Sequence, residues 1–196
     1  MGITVRLAAP SEIPSTEELL LAAYGERGYC PGAIATGTEQ YFALERSHTL
    51  VLVAEQDGVL RGTMRTTLDE GTLPIDEEFP AAIAKLRSSA AKICYYSRFA
   101  VNPMFWGARR VGLALIAEAF RLAKYECIDA CVIVVHPHHV DFYQRMMFRV
   151  VDEIPCIPGL EKAPAVLMIL ALRELQADNQ VIRRSAKQAV RQGKTV

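Results

Sequence analysis

The sequence predicts an α/β (α+β) fold: a mixed central sheet of about seven strands flanked by helices. Short apolar or alternating segments recur along the chain with helical segments among them, which is typical of helices packed on a sheet. The clearest unit is residues 93–124. It contains an apolar strand (ICYYSRFAV), a connector (NPMFWGA) and a helix that opens with RRVGLALIAEAF.

The first segments of the chain predict three strands and two helices. Residues 3–8 alternate apolar and polar side chains and predict a first strand; residues 17–24 predict a helix behind two candidate N-caps, Ser11 and Ser15. Residues 28–37 suit a loop that covers a substrate or an ordinary connector, and residues 41–46 suit a short helix. Residues 50–54 and 59–67 are predicted strands joined by Gln56-Asp57-Gly58, since Asp-Gly supplies the positive φ angles of a tight turn.

The rest of the chain completes the sheet. Residues 69–80 are acidic and proline-interrupted, which predicts a loop, and residues 80–90 predict a helix with Lys85 and Arg87 exposed. After the central unit we expect a buried strand at 130–135, a short helix at 140–147, and strands at 148–154 and 165–172. Residues 1–175 are predicted to form one domain, and the basic, polar residues 176–196 a peripheral helix or a disordered tail.

The composition is that of an ordinary globular protein. The chain has 196 residues, 51% of them hydrophobic, and its formal net charge is zero, which argues against binding nucleic acid through bulk charge. No apolar run reaches membrane-spanning length, and the N-terminus (MGITVRLAAP) lacks a signal-peptide core. The five cysteines lack metal-site spacing, so no metal is expected. We expect Cys94, Cys127 and Cys131 to be buried small hydrophobes in a reducing cytoplasm.

A phosphate site is predicted at the start of the helix that follows the central strand. The first N–H groups of a helix have no intrahelical acceptor, and the helix dipole adds positive charge there. Arg109 and Arg110 add further charge, Gly112 would let the backbone approach a ligand, and Ala114 would keep the next turn clear. The predicted binding residues are Arg109, Arg110, Val111, Gly112, Leu113 and Ala114. The alternative is an amphipathic helix with an arginine-rich start.

Several motifs, in this order, resemble those of a known superfamily. The order of the predicted elements, with Arg109-x-x-Gly112-x-Ala114 after the fourth strand, resembles that of the GNAT acyltransferases. Within these, Gly62-Thr-Met-Arg65 and Ser97-Arg98-Phe99-Ala100-Val101 are most similar to motifs of the long-chain N-acyl amino acid synthases (FeeM type) and the acyl-homoserine-lactone (autoinducer) synthases, which are bacterial enzymes. The string HPHHVDFYQRMMF is similar to a helix of the FeeM type. The segment LPIDEEFPAAIAKLR is also similar to the FeeM-type segment before the central strand. The resemblance covers roughly residues 50–172.

The resemblance implies a GNAT fold, splayed between its fourth and fifth strands, and an N-acyltransferase. Such enzymes move a fatty acyl group from the phosphopantetheine thioester of acyl carrier protein or CoA to an amine, here that of an amino acid or related small molecule. Phe99 and Val101 would contact the pantetheine, and Phe105 and Trp106 would be core or pantetheine cover. An acidic carrier protein would meet scattered positive charge from Lys85, Arg87, Lys92, Arg109, Arg110, Arg145 and Arg149. A CoA-dependent acetyltransferase and a catalytically silent acyl-thioester or carrier-protein binding domain remain alternatives.

The catalytic residues are predicted with one departure from the family pattern. The homoserine-lactone synthases carry a glutamate in Glu-x-Ser-Arg, where this chain has Tyr95, and a phenol is a poor base at neutral pH. We therefore expect His136, or alternatively Glu55, to act as the base, unless the amine loses its proton to solvent. Tyr143 is the expected general acid that protonates the leaving thiolate. Capping or solvation is the alternative for His136, and packing for Tyr143.

Two arginines lie inside otherwise apolar strands. Burying a guanidinium without a partner is costly, so Arg65 and Arg98 are expected to meet an anion. One possibility is the carboxylate of an amino-acid acceptor; the other is an ion pair with Asp69 or Glu70. The predicted substrate-binding residues are Arg65, Tyr96 and Arg98.

Overall fold

The computed structural model describes residues 2–27, 48–90, 92–155 and 164–172. The strands in these ranges are β1 (Thr4–Leu7), β2 (Thr49–Gln56), β3 (Val59–Leu68), β4 (Ile93–Val101), β5 (Ala130–Val135), β6 (Arg149–Ile154) and β7 (Ala165–Ala171). The α-helices are α1 (Ile13–Glu26), α2 (Pro80–Ser89), α3 (Ala108–Tyr125) and α4 (Val140–Gln144), with 3₁₀ turns at Pro10–Glu12 and Pro137–His139. The predictions for residues 28–37, 41–46 and 176–196, and the predicted domain boundary at 175, lie outside the described residues.

The strands form a seven-stranded mixed sheet in the order β1-β2-β3-β4-β5-β7-β6. β1, β2 and β3 pair antiparallel, as do β5, β7 and β6, while β4 and β5 are parallel. Asp57 (φ 56°) and Gly58 (φ 74°) close the β2–β3 hairpin with the two positive φ angles that the Asp-Gly signal requires. The predicted fold class is therefore confirmed; the splay between β4 and β5 stays a prediction.

The chain divides into two compact units. The first comprises Met1–Leu68 and Tyr96–Ala123, and the second comprises Asp69–Tyr95 and Lys124–Val196. In the first unit, α1 and α3 pack on β3 and the greater part of β4. In the second, β5, β6 and β7 pack with α2 around their own apolar core.

The contact between α3 and β3 is unusually close. A Cβ added to Gly62 would lie 2.7 Å from Val111 Cγ1 and 2.9 Å from Leu115 Cδ1, and both of those side chains are completely buried. A Cβ at this distance would force the Val111 and Leu115 side chains, or the helix that carries them, to shift, because non-bonded carbon atoms ordinarily stay about 3.5 Å or more apart. Gly62 of the Gly-x-x-Arg motif therefore sets how near α3 lies to the sheet.

A bulge interrupts β4 at Arg98, whose φ of 51° is in the left-handed region. Before it, the Tyr96 hydroxyl donates to the Ala119 carbonyl of α3 at 3.0 Å; after it, Phe99 also faces α3, at Gly112. Residues three apart on a regular strand face opposite sides. The bulge therefore reverses the alternation, and Ala100 packs with Leu20 and Ala23 of α1 on the other face.

The acidic segment at 69–79 forms no helix or strand, as predicted, but it supplies much of the second unit's core. Leu73, Ile75 and Phe79 are each 5% exposed or less and pack with residues of α2, β4, β5 and β7. Arg87 was predicted to be exposed, and this was wrong. Its guanidinium donates to the carboxylates of Asp69 (2.8 and 2.9 Å) and Asp76 (3.0 Å), whose hydrogen bonds raise the pKa of Arg87.

The entry to α1 also differs from the prediction. The helix begins at Ile13, and neither Ser11 nor Ser15 is its N-cap. Glu12 precedes it, accepting the Ala9 N–H at 2.7 Å and two hydrogen bonds from Arg6 at 2.7 Å, which together lower the pKa of Glu12 to about 2. The pairing of Arg6 with Glu12, six residues along the chain, could not be predicted from the local sequence pattern.

The cysteine prediction is right for two residues and wrong for one. Cys94 and Cys131 are buried, with their Sγ atoms 3.3 Å apart, whereas Cys127 is exposed. Cys127 has φ 55° at the turn that ends α3, a position where the backbone, not the core, decides exposure. Among the described residues no helix is both long and apolar enough to cross a membrane.

The close contact at Gly62 predicts a specific loss of stability. Gly62→Ala must move α3 or distort β3, and overpacking of this kind typically costs about 1–3 kcal/mol in the free energy of unfolding. Urea denaturation measures this difference. The matched control is Gly2→Ala, because a Cβ on Gly2 meets nothing within 4 Å. Equal unfolding free energies for the two variants would contradict the proposed packing constraint.

Candidate active site

The start of α3 presents backbone donors in a tight turn. The Ala108 N–H donates to the Phe105 carbonyl at 3.0 Å, and those of Arg110 and Val111 donate to the Gly107 carbonyl at 2.9 and 3.2 Å. Within the described residues, the N–H groups of Trp106, Gly107 and Arg109 have no backbone acceptor. The donors available to an anion thus lie slightly before the predicted run. The amides of Gly112, Leu113 and Ala114 are in the second turn, where N–H groups bond within the helix.

Arginine side chains surround the same turn. Arg109 is partly buried and Arg110 is exposed at the first turn of α3. Arg61, at the adjoining end of β3, places its guanidinium 4.5 Å from the centre of the Phe105 ring, and its carbonyl accepts the Asn102 N–H at 2.8 Å. The Arg61 Nε is buried and has no hydrogen-bond partner among the described residues. Three positive charges and the turn amides together suit a phosphate.

The two aromatic residues of the turn, Phe105 and Trp106, differ in their exposure to solvent. Phe105 is partly buried against Arg61, which agrees with a packing role. Trp106 is fully exposed, with a relative accessibility of 103%, so its assignment to the core was wrong. Its role as cover for a pantetheine stays a prediction.

Several predicted ligand-binding residues also hold α3 on β4. A Cβ on Gly112 would lie 3.1 Å from Phe99 Cζ and 3.8 Å from Val101 Cγ2. Gly112 therefore makes room for β4, a reason that the sequence argument from ligand approach did not include. Tyr96 is 4% exposed, and its hydroxyl bonds to α3. The structure thus gives Tyr96 a packing role that its assignment to substrate binding did not foresee.

Arg65 lies in a charged cluster beside α1. Its side chain is 7% exposed, and its Nη2 lies 3.4 Å from Glu17 Oε1, whose side chain is 33% exposed. Burial, then the neighbouring charge of Arg98, lowers the pKa of Arg65; Glu17 and Tyr24 act in the opposite direction. The ion pair with Asp69 that the sequence suggested for these arginines is not formed by Arg65, since Asp69 binds Arg87.

In the second unit, His136 ends β5 and caps the following 3₁₀ turn. Its Nδ1 accepts the His138 N–H at 3.3 Å, and the two imidazoles stack 4.7 Å apart. Burial, followed by the charge of His138, lowers the pKa of His136 and favours the neutral ring. A neutral imidazole that accepts at Nδ1 carries its proton on Nε2. The structure thus supports the capping alternative, and the role of base stays a prediction.

Tyr143 lies on the short helix α4, just after this turn. Its ring is partly buried and meets Phe148 edge-on, with centroids 5.7 Å apart, and Phe142 at 5.0 Å. Its carbonyl accepts the N–H groups of Met146 and Phe148, which fixes the backbone at this position. These aromatic contacts agree with the packing alternative, and the role of Tyr143 as general acid stays a prediction.

Tyr95, at the position of the family's glutamate, and Glu55, the alternative base, each make contacts that hold them in the fold. Tyr95 packs against the apolar core of the second unit. Glu55 makes an ion pair with Arg6 at the β1–β2 edge, which places it in a surface charge cluster with Glu12. Among the described residues, no group of three or more His, Cys, Asp or Glu side chains could hold a metal ion.

Sequence reasoning missed Arg61 and Glu17. Arg61 directly precedes the Gly62-Thr-Met-Arg65 motif, and an arginine inside a predicted strand was a usable signal. Glu17 reads as an ordinary polar position of an amphipathic helix. Its contact with Arg65, 48 residues away, has no local signature.

The comparisons with known proteins agree with this fold. The structure is similar to that of FeeM, an N-acyl amino acid synthase from uncultured soil microbes, with a TM-score of 0.77 and 21% identity over 93% of this chain and 97% of that one. A GCN5-related N-acetyltransferase from Rhodopseudomonas palustris follows at 0.61 and 16%, covering 87% and 96%. A GNAT acetyltransferase from Brucella melitensis, solved with acetyl-CoA, gives 0.52 and 18%, covering 87% and 88%. No curated protein matches the sequence.

The family follows from the sequence itself. The model of the family described as "N-acyl amino acid synthase FeeM" matches residues 15–171, about four-fifths of the chain. This range includes the β3 motif, the α3 start and the segment of His136 and Tyr143. The chain therefore belongs to the FeeM family of N-acyl amino acid synthases, and it is an N-acyltransferase of GNAT fold.

Proposed function

We propose that this enzyme transfers a fatty acyl group from a phosphopantetheine thioester to the amine of an amino acid. The observation that carries the proposal is the start of α3, where the N–H groups of Trp106, Gly107 and Arg109 lie among three arginines. Both acyl-CoA and an acyl carrier protein present a phosphate at the end of the pantetheine arm. The thioester supplies an activated carbonyl carbon. The protein must orient this carbon, remove protons from the amine and protonate the leaving thiolate.

The phosphate is held at the turn between β4 and α3. Arg109 provides a charge-assisted contact, with Arg61 and Arg110 contributing to the local positive potential. The amide donors of this proposal are those of Trp106, Gly107 and Arg109, since the carbonyl of Gly107 already engages Arg110 and Val111. The first strand residues after the bulge, Phe99 and Val101, would then lie beside the pantetheine.

Tyr143 and His136 donate and accept the protons that acyl transfer requires. Tyr143 protonates the thiolate as the C–S bond breaks, which prevents return of a strong nucleophile. His136 receives the proton that the nitrogen loses after it has attacked the thioester in this scheme, for which it must give up its hydrogen bond from the His138 N–H. Arg65 and Arg98 attract the carboxylate of the amino acid.

An acyl carrier protein is the proposed donor in preference to CoA. The basic residues Lys85, Lys92, Arg110, Arg145 and Arg149 are exposed and can meet an acidic partner. Arg87 no longer belongs to this set because two aspartates bind it. A CoA-dependent acetyltransferase is the alternative, for which the acetyl-CoA complex of the Brucella melitensis enzyme is the relevant observation.

Removing Arg109 tests the phosphate site and the donor together. Arg109→Ala is expected to weaken binding of acyl-CoA and of acyl carrier protein by about 1–3 kcal/mol, because each loses a charge-assisted hydrogen bond. Calorimetry at low and high salt measures both, and a steep salt dependence is expected for the carrier protein alone. Arg121→Ala is the control, since Arg121 is an exposed cation on the same helix. If Arg109→Ala binds acyl-CoA and acyl carrier protein as tightly as the wild type, the proposed phosphate site is wrong. If CoA binds tightly and the affinity for the carrier protein does not depend on salt, the acetyltransferase alternative is favoured.

Substitutions at Tyr143 and His136 test the catalytic roles. Tyr143→Phe is expected to lower kcat by two to four orders of magnitude, the usual contribution of a positioned acid. Tyr125→Phe, at an exposed tyrosine, is the control. His136→Asn retains an acceptor for the His138 N–H but cannot act as a base, whereas His136→Ala loses both functions.

The outcomes separate chemistry from structure. Loss of activity in both His136 variants is expected, and recovery in His136→Asn would reduce His136 to a cap. If Tyr143→Phe stays within about threefold of the wild type, Tyr143 only packs. If the wild type binds acyl thioesters but acylates no amino acid, the proposed substrate pair is wrong.

A further inference from the structure

Glu17 belongs to a charged cluster in the first unit that also contains Tyr24, Arg65 and Arg98. Arg65 is nearly buried, and it reaches Glu17 at 3.4 Å from the end of a side chain that is 7% exposed. Glu17 itself is one-third exposed, so its carboxylate lies between a buried guanidinium and solvent. The cluster lies on the α1 face of β3 and β4.

One residue of this cluster has a strained backbone conformation. Arg98 adopts a left-handed conformation, with φ 51°, which is strained for a non-glycine residue. Burial, then the charge of Arg98, lowers the pKa of Arg65, while Glu17 and Tyr24 act in the opposite direction. The cluster thus combines two guanidiniums with the Glu17 carboxylate, which lies 3.4 Å from Arg65. Strained, like-charged placement of this kind is typical of ligand sites.

The cluster has the charges that recognise a zwitterion. An α-amino acid carries a carboxylate and an ammonium group on one carbon, so a site for it needs positive and negative groups a few ångströms apart. The guanidiniums of Arg98 and Arg65 suit the carboxylate, because a planar guanidinium binds a carboxylate through two parallel hydrogen bonds. The exposed part of the Glu17 carboxylate suits the ammonium.

We propose that Glu17 binds the ammonium group of an α-amino-acid acceptor and accepts the proton that the amine must lose before it attacks the thioester. This inference rests on the proposed function and names the group that performs the work of the glutamate missing at position 95. The charged group in contact with Glu17 is Arg65 of β3, and Arg98 of β4 and Tyr24 of α1 act on Arg65 in turn.

Other acids and bases described in the structure are less suitable. Glu12 and Glu55 both pair with Arg6 at the β1–β2 edge, so they belong to a different charge cluster from Arg65 and Arg98. His136 uses Nδ1 to cap a turn, so its neutral ring offers Nε2–H as a donor. Glu17 differs from these in combining partial exposure with a contact to a buried arginine of the Gly62-Thr-Met-Arg65 motif.

The proton balance of the step is complete without a further reactant. The ammonium gives one proton to Glu17, and the nitrogen lone pair attacks the thioester carbonyl carbon. The C–N bond forms, the C–S bond breaks, and the departing sulfur takes one proton from the general acid. The nitrogen loses its second proton, which restores that acid, and Glu17 releases its proton to water. The products are the N-acyl amino acid, a thiol and one proton.

The test is the pH dependence of Glu17→Gln, with Glu18→Gln as the matched control. Glutamine keeps an oxygen acceptor for Arg65 but cannot take a proton, and Glu18 is the exposed neighbour on the same helix. At pH 7 we expect kcat/KM for the amino acid to fall by two to four orders of magnitude in Glu17→Gln and to change by less than about threefold in Glu18→Gln. As the pH rises towards the pKa of the free amine, Glu17→Gln should recover activity, because the substrate then arrives unprotonated. A merely structural loss would not recover.

The failures of this inference and of the proposed function are distinguishable. If the wild type acylates amino acids and Glu17→Gln does so within threefold and with the same pH profile, Glu17 has no role in the step and the proposed function stands. An activity loss that is equal at every pH likewise overturns the proton-accepting role. If the wild type acylates no amino acid from any acyl thioester, both proposals are wrong. Thermal unfolding is measured in parallel; should Glu17→Gln unfold, Glu17→Asp, which keeps the charge but withdraws it by one methylene, must lose rate for the proposal to stand.

Discussion

The close contact of α3 with β3 and β4 is the constraint on which the site depends. Gly62 and Gly112 remove the two side chains that would hold the helix away from the sheet. Because the helix is fixed on both strands, the position of its first residue is fixed too. The turn before it then has to present the amides of Trp106, Gly107 and Arg109, and Arg61 reaches the same turn from the end of β3. Packing thus decides where an anion can bind.

The bulge at Arg98 divides the same strand between two tasks. Tyr96 and Phe99 attach β4 to α3, while Ala100 packs against α1. A regular strand could not place Tyr96 and Phe99 on one face. The left-handed residue therefore allows β4 to support the turn of the proposed phosphate site on one face and to pack against α1 on the other. The fold and the proposed acceptor site are linked through this backbone irregularity.

The sequence predicted what local patterns determine and missed what distant partners determine. The Asp57–Gly58 turn, β5 and the start of α3 are encoded by adjacent residues and were right to within one or two positions. The exposure of Cys127 and the partial burial of Arg87 depend on a helix end and on aspartates 11 and 18 residues away. For the site, the motifs located the helix start and Arg65 but could not reveal Glu17, since only the tertiary fold brings α1 to β3.

The account is tested most directly by the backbone amide spectrum of the ¹⁵N-labelled enzyme during titration with CoA. If the start of α3 holds the phosphate, the amide resonances of Trp106, Gly107 and Arg109 should shift most, because their N–H groups gain an acceptor. Those of Leu113 and Ala114, which are bonded within the helix, should move less. Saturable binding that leaves the resonances of Trp106, Gly107 and Arg109 unchanged would contradict the central claim that the docked helix start is the phosphate site.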